Sequence, residues 1–364
     1  MVHFSPRPPP NQSPQAESSL RLTLVVPDLV WPEPADTSAL ASLDRPGLEW
    51  LLARAEPTRR PRQSHEQALA DCFAAGPTPP FGALRLFGED DAALAAAARA
   101  GCWLCADPVH LRFHHERIVL ADAGAFDLDA TEAAALVAAL NDQFADIGAF
   151  RMATPRRWYV RLRDDLSGAT PPLSAVAGRR IAGELPDQET AARLQRWLNE
   201  IQMVLHGHPV NHAREDAGLP AVNSLWFWGA GRLAGTVAPV QWAVWSRDPL
   251  VKGLARAGGL AVDDPPADLA RLLARPAGDH LVVADQLLAP VRYEDSTAWR
   301  DQLGHLERAW FAPLRQALGG PIRHLTLTAP TLYGCLEWSI AAGERWKFWR
   351  RPRTLQQWAE ALAA

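Results

Sequence analysis

The amino-acid sequence predicts an α/β protein, a core sheet flanked by helices and interrupted by a smaller α+β insert. Three observations predict it. A β-rich run, Arg21 to Val26 (RLTLVV), opens the patterned chain and ends at Pro27-Asp28. The last third alternates strand and helix patterns, with Gly278 to Asp285 (GDHLVVAD), Trp299 to Leu318 and His324 to Thr328 (HLTLT) in succession. That rhythm belongs to helices packed on a largely parallel sheet. Between the two, a Gly76-Pro-Thr-Pro-Pro80 cluster breaks the pattern and starts a series of short mixed elements.

Taken in order, residues 1–20 carry five prolines with Ser, Gln and Asn and no packing face, so they read as a disordered lead-in. Asp28 then stands at the carboxyl end of the first core strand, the edge where open α/β sheets bind ligands. Ser42 to Ala55 reads as a helix with Asp44 as its cap, Pro46 in the first turn, and Leu48, Leu51 and Leu52 as its core face. Glu56 to Gln63 (EPTRRPRQ) reads as a polar, basic connection and His65 to Ala75 as a further helix. Beyond the breaker come an Ala-rich helix at Asp90 to Arg99, two strands within Gly101 to Leu120, a helix from Thr131 to Phe144 capped by Thr131, and a strand at Trp158 to Leu162. Residues 21–75 and 187–364 are therefore assigned to the core, and 76–186 to the insert.

Composition narrows the function classes. At 364 residues and 48% apolar content the chain can bury a sizeable core. A formal net charge of −4 leaves no chain-wide basic field, so nucleic acid is not an expected partner unless a local patch supplies the contacts. The four cysteines, Cys72, Cys102, Cys105 and Cys335, are too few for a disulfide framework, and residues 1–20 lack an apolar signal core. The expected location is the cytoplasm. No apolar run approaches the ~18 residues of a membrane span, so no membrane partner is expected. Fifteen tryptophans are the compositional oddity; large aromatics supply either buried area or interface anchors.

The most informative stretch is His208 to Gly231 (HPVNHAREDAGLPAVNSLWFWGAG). An amphipathic helix, Ala191 to Leu205, feeds it and Gly207 ends that helix. Ser224 to Trp228 then reads as a buried strand entering the Gly229-Ala-Gly231 turn. As a ligand site, His208, Asn211, Arg214 and Asn223 converge beside a backbone that Gly229 and Gly231 let a ligand approach. As plain structure, the Asn side chains satisfy loop backbone and Trp226 and Trp228 are core. The two readings have even weight on residue type alone.

Other constellations are weaker. Asp107, His110 and Arg112 follow a strand and can reach an anionic ligand, or serve local turns. Cys102 and Cys105 have metal-ligand spacing but sit on a strand without a second pair, so they read as buried core. Ser64-His65-Glu66 is contiguous, which says little about catalysis because triads converge in space. The basic aromatic run at the end, WKFWRRPR from Trp346, suits an anion or nucleic acid, or is a solvated arm.

His208-Pro-Val-Asn211, Arg214, Gly218-Leu-Pro220, Asn223 and Gly229-Ala-Gly231 resemble a segment of the archaeal-type cofactor-independent phosphoglycerate mutases of the alkaline-phosphatase superfamily. VVPD at Val25 to Asp28 resembles their opening strand. CADPVHLR and NSLWFWGAG resemble the bacterial RpfE-type regulatory proteins. The resemblance implies an alkaline-phosphatase-like core sheet with a smaller insert. It also implies two divalent metals held by Asp and His and a phosphoryl-carrying Ser. Asp28 matches the first ligand position, but LLAPVRYED stands where an Asp-Glu-x-x-His run is expected, and Ala329-Pro330 stands where an Asp-His step is expected. Ser64 with His65 is a loose counterpart of the nucleophile pattern.

A two-metal site needs its full ligand set. The sequence therefore points first to a non-catalytic regulatory or interaction protein with no cofactor and no metal ligands, keeping a pocket for a small phosphorylated or anionic ligand and open to a protein partner. The first alternative is an active phosphotransferase, hydrolase or mutase with an altered, metal-dependent site built on Asp28, Ser64 and His65 with the arginines Arg59, Arg60 and Arg62. That alternative requires these groups to meet in one cleft, Asp28 and Ser64 above all. The second is a nucleic-acid-associated accessory protein working through the terminal patch.

Overall fold

The structure, a computed structural model, describes residues 19–40, 43–114, 117–166, 170–177, 188–233, 242–351 and 353–363. Most of the expected lead-in, residues 1–18, lies outside them. The strands are β1 (Leu20–Val25), β2 (Glu56–Arg60), β3 (Cys102–His114), β4 (Arg117–Asp122), β5 (Gly148–Thr154), β6 (Arg157–Leu162), β7 (Ser224–Arg232), β8 (Trp242–Trp245), β9 (Val262–Asp263), β10 (Gly278–Val283), β11 (Ile322–Thr331) and β12 (Gly334–Ala341). They form two sheets.

The larger sheet has the order β2-β12-β11-β1-β10-β8-β9. From β11 to β9 the pairs are parallel, with β1 at the centre aligning Leu24 with Val282 on one side and Leu327 on the other. Central parallel strands are covered on both faces, and Leu22, Leu24, Val25, Leu281 and Val282 are accordingly buried. The fold class is the expected one, a central sheet flanked by helices with an insert. β12 and β2 extend it antiparallel. Glu56 to Arg60, expected to be a connection, is thus an edge strand, and its charged, exposed residues suit an edge that must not pair further.

The smaller sheet runs β4-β3-β6-β5, and β7 joins it along β3. It therefore draws in Ser224–Arg232, a segment the sequence pattern had grouped with the core. The helices Ala130–Gln143 and Gln188–His206 cover it, burying Leu136, Leu140, Ile201 and Leu205 with Val222 and Phe227. A further cluster joins the two sheets: Val25, Val244 and Val283 from the larger pack with Trp103, Tyr159 and Trp228 from the smaller, around Leu84 and Leu254 of the helices Phe81–Phe87 and Pro249–Ala257.

Two caps differ from expectation. The helix Ala130–Gln143 is capped by Asp129, whose side chain accepts from Thr131 and Glu132 backbone N–H in a reciprocal capping box. The helix Pro46–Arg54 takes no side-chain cap from its own flank. Glu307 supplies it from a distant π-turn, accepting from Gly47 N–H at 2.6 Å and Leu48 N–H at 3.0 Å.

Candidate functional site

The stretch from His208 to Gly231 is built from polar groups that the chain itself uses. His208 caps the helix Pro209–Asp216 by accepting from Val210 N–H. Asn211, 1% exposed, donates to the Leu205 and Val222 carbonyls and accepts from Val222 N–H. Arg214, 2% exposed, donates to the Pro220 carbonyl and, by short contacts, to Glu132 and the Asp127 carbonyl. Asn223 accepts from Leu111 N–H and donates to the Leu111 carbonyl. His110 pairs through Nδ1 with the Ala221 carbonyl, and Arg112 is exposed on β3.

The glycines of this stretch serve close packing. Gly229 has φ +70°, and a Cβ on it would lie 2.7 Å from the Phe81 Cβ. A Cβ on Gly231 would lie 2.6 Å from the Pro80 Cβ. The space a ligand would need beside the turn is filled by the helix Phe81–Phe87 and its approach.

Asp28, Ser64 and His65 do come together. Asp28 leaves the carboxyl end of β1 at φ +54°, its backbone N–H donating to the Pro330 carbonyl and its carbonyl accepting from Trp299 Nε1. Ser64 caps the helix His65–Cys72, its Oγ accepting from Gln67 N–H at 3.0 Å. With Arg62, Ser174 and Thr331 the three line a cavity of about 240 Å³ at the carboxyl edge of the larger sheet. The position of Asp28 follows from the strand-end rule; that of Ser64 and His65 follows from the helix packing beside β11.

Leu288, Pro330 and Leu332 complete the wall. Among the described residues no group of three or more His, Cys, Asp or Glu is placed to hold a metal ion. A lining whose anionic and imidazole ligands number one each, Asp28 and His65, beside Arg62, Gln63, hydroxyls and apolar side chains, does not fit the two-metal centre that the resemblance implies.

His65 is the chemically distinctive member. It is 9% exposed and neither ring nitrogen has a hydrogen-bond partner. Its Nε2 stands 3.9 Å from Asp248 Oδ2, beyond hydrogen-bond reach. Asp248 caps the helix Pro249–Ala257, and Asp285 follows the end of β10. Burial pushes the Asp285 carboxyl above its usual range, Asp248 adds to the rise, and His65 works against it. Neither carboxylate was singled out in the sequence, although Asp285 ends a core strand just as Asp28 does.

A second cavity, of about 180 Å³, shares His65, Ser174 and Leu288 with the first, so the two form one cleft between the sheets. Asp107 belongs here, joining the trio's cleft. Arg85, Arg157 and Arg292 also line it, and each is held by a carboxylate: Arg85 by Asp107 at 2.7 Å, Arg157 by both oxygens of Glu89 at 2.8 Å, and Arg292 by Asp122 at 2.6 Å. Burial opposes the Arg85 charge, but Asp107, Tyr159 and Cys105 together outweigh it and hold the guanidinium well above its ordinary value. Asp107 Oδ2 also accepts from Trp228 Nε1 at 2.8 Å, while its Oδ1 is buried without a partner. The cleft thus presents two unsatisfied buried groups, an imidazole and a carboxylate oxygen.

A two-sheet α/β chain with a cleft at the carboxyl edge of its parallel strands matches no known family profile. Individual relatives are found. One is a probable 2,3-bisphosphoglycerate-independent phosphoglycerate mutase of Geobacter sulfurreducens, 33% identical over 96 residues, 25% of this chain and 24% of that protein. Another is the 2,3-bisphosphoglycerate-independent phosphoglycerate mutase of Ignicoccus hospitalis, 31% identical over 154 residues, 37% of each chain. The matches thus span a quarter to a little over a third of these curated relatives. Among solved structures, the PH0037 protein from Pyrococcus horikoshii superposes with a TM-score of 0.53 at 14% identity, covering 94% of this chain and 92% of that one. Over those stretches the chain is similar to 2,3-bisphosphoglycerate-independent phosphoglycerate mutases.

Proposed function

We propose that this chain is a non-catalytic relative of the phosphoglycerate mutases, of the RpfE-type regulatory group, that holds a small phosphorylated or carboxylate-bearing ligand in the cleft between its sheets. The observation that carries the reading is His65. A buried imidazole with two unused nitrogens costs stability unless something pairs with it, and it faces a cavity large enough for a compact anion. Arg62, exposed at the same cavity and without an ion-pair partner among the described residues, adds a cation. The unpaired Asp107 Oδ1 adds an acceptor for a ligand hydroxyl. The three inner arginines, being already neutralised, shape the cleft more than they charge it.

Ligand binding to the folded state raises the melting temperature. A thermal-shift panel of phosphorylated three-carbon acids, inorganic phosphate and nucleotides is expected to give a rise for the first group that His65→Ala abolishes. Turnover of phosphoglycerate by protein carrying stoichiometric Mn²⁺ or Zn²⁺ would overturn the non-catalytic part.

A second reading is favoured by the convergence of Asp28, Ser64 and His65 on one cavity. In it Ser64 Oγ takes the phosphoryl group of a phosphoester as the ester P–O bond breaks, the serine proton passing to the departing alcohol, as an altered phosphotransferase. Phosphopeptide mapping after incubation with the ligands that raise the melting temperature separates the two readings: modified Ser64 supports the enzyme, unmodified Ser64 the binding protein.

A further inference from the structure

Among the described residues, three of the most exposed large apolar side chains crowd into four positions: Trp346 is 64% exposed, Phe348 77% and Trp349 67%. Fifteen tryptophans in a chain with a well-filled core make such exposure informative, because most of the others are buried. Beyond β12, Trp346 ends the short helix Ala342–Trp346, and Phe348 and Trp349 sit on the turn that follows it. Their neighbours are basic. Arg345, Lys347, Arg350, Arg351 and Arg353 accompany a single acid, Glu344, over residues 344–353.

Some of these cations are engaged: Lys347 pairs with Glu344, Arg350 donates to Glu56 and the Ala55 carbonyl, and Arg345 lies over Trp346 at 4.7 Å. Arg351 and Arg353 are exposed, and Arg353 lies over the Trp358 ring at 5.1 Å. The patch is positive on a chain whose net charge is −4.

We infer that this turn docks the protein on an anionic lipid surface. Tryptophan and phenylalanine flanked by Lys and Arg partition into the headgroup region, the rings at the acyl boundary and the cations against lipid phosphates. The complementarity of sign selects an anionic partner, and the ring geometry selects a membrane over nucleic acid. Phe348 and Trp349 meet edge to face, 5.4 Å apart at 78°, so successive bases find no parallel rings to stack on, and these residues line no part of the cleft that could track a strand. Lying on a surface is a different relation from spanning it; no described helix is long and apolar enough to cross a membrane.

The test is co-sedimentation of the full chain with vesicles of phosphatidylcholine alone or mixed with phosphatidylglycerol, with a labelled single-stranded oligonucleotide as a separate arm. Retention by the mixed vesicles only, falling with salt, is expected. Replacing Arg351 and Arg353 by Ala should weaken it roughly twenty-five-fold, at about fivefold per charge. The triple change Trp346→Ala, Phe348→Ala, Trp349→Ala should abolish it. All five side chains are exposed, so an unchanged circular-dichroism melt is expected for both variants. Vesicle binding that survives the triple change, absence of binding to the mixed vesicles, or binding of the oligonucleotide alone would each overturn the inference.

Discussion

The stretch from His208 to Gly231 and the cleft around His65 use the same vocabulary of polar residues, with opposite results. In the first, Asn211, Arg214 and Asn223 are spent on backbone groups of the chain, and the glycines make room for a helix. In the second, His65 is also buried but has no partner at hydrogen-bond distance. The difference teaches that burial of a polar side chain is not itself a site. What marks one is burial with bonding capacity left over.

The largest effect that tests this comparison is at Asn211. Removing its amide by Asn211→Ala orphans the Val222 N–H and carbonyl in the interior and leaves the Leu205 carbonyl only its bond from His208 N–H at 3.2 Å. Urea unfolding should show a loss of roughly 3 kcal/mol or more, with no dependence on added ligand. A loss under about 1 kcal/mol would break the contrast. Next comes Gly229→Ala, which combines a left-handed backbone with a clash against the Phe81 Cβ; a loss of about 2 kcal/mol is expected by the same measurement.

At His65 the sign changes. His65→Leu removes an unsatisfied imidazole, so stability should hold or rise by about 1 kcal/mol while the ligand-induced shift in melting temperature disappears. Destabilisation comparable to that of Asn211→Ala would place His65 among the structural groups and erase the distinction.

The smallest effect is a pH slope. His280 accepts from Trp245 Nε1 at 3.0 Å through Nδ1 and contacts the Pro276 carbonyl at 3.0 Å through Nε2, which assigns the neutral Nε2–H tautomer. Burial holds its pKa below the usual imidazole value, against a weaker upward pull from Pro276. A depressed folded-state pKa contributes stability that is present above the unfolded value, ~6.5, and lost as pH falls through the folded one. Melting temperature should therefore drop on acidification below that value, and His280→Gln should flatten the drop.

Much of the larger sheet was legible because its strands are apolar runs with turn signals at both ends, and Asp28 was legible because a carboxylate after a core strand has a predictable place. Local capping was legible in principle, because Asp129 and Glu132 have the spacing of a capping box. The cap on the helix Pro46–Arg54 was not, since Glu307 lies far along the chain and only tertiary packing brings it there. Glu56 to Arg60 looked like solvent-facing chain because its side chains are charged, but pairing with β12 depends on backbone. The pairing of β7 with β3 was hidden for the same reason. At the site, Ser64 and His65 were visible as residue types, whereas Asp248 and Asp285 gain meaning only from what faces them.

The place of β1 has a consequence for how the chain folds. Its partners on both sides, β10 and β11, come from the last third of the sequence, so a ribosome has made more than two hundred further residues before the first strand can pair. Until then its backbone is an open edge on both flanks and its apolar side chains are uncovered. Contacts of such sequence separation make folding slow and expose the nascent chain to aggregation. The smaller sheet, whose β3 to β6 hairpins are local, can assemble meanwhile. The central strand is thus the earliest of the sheet to be synthesised and among the last to find its place, and holding it unpaired but harmless is the main demand this topology makes on the cell.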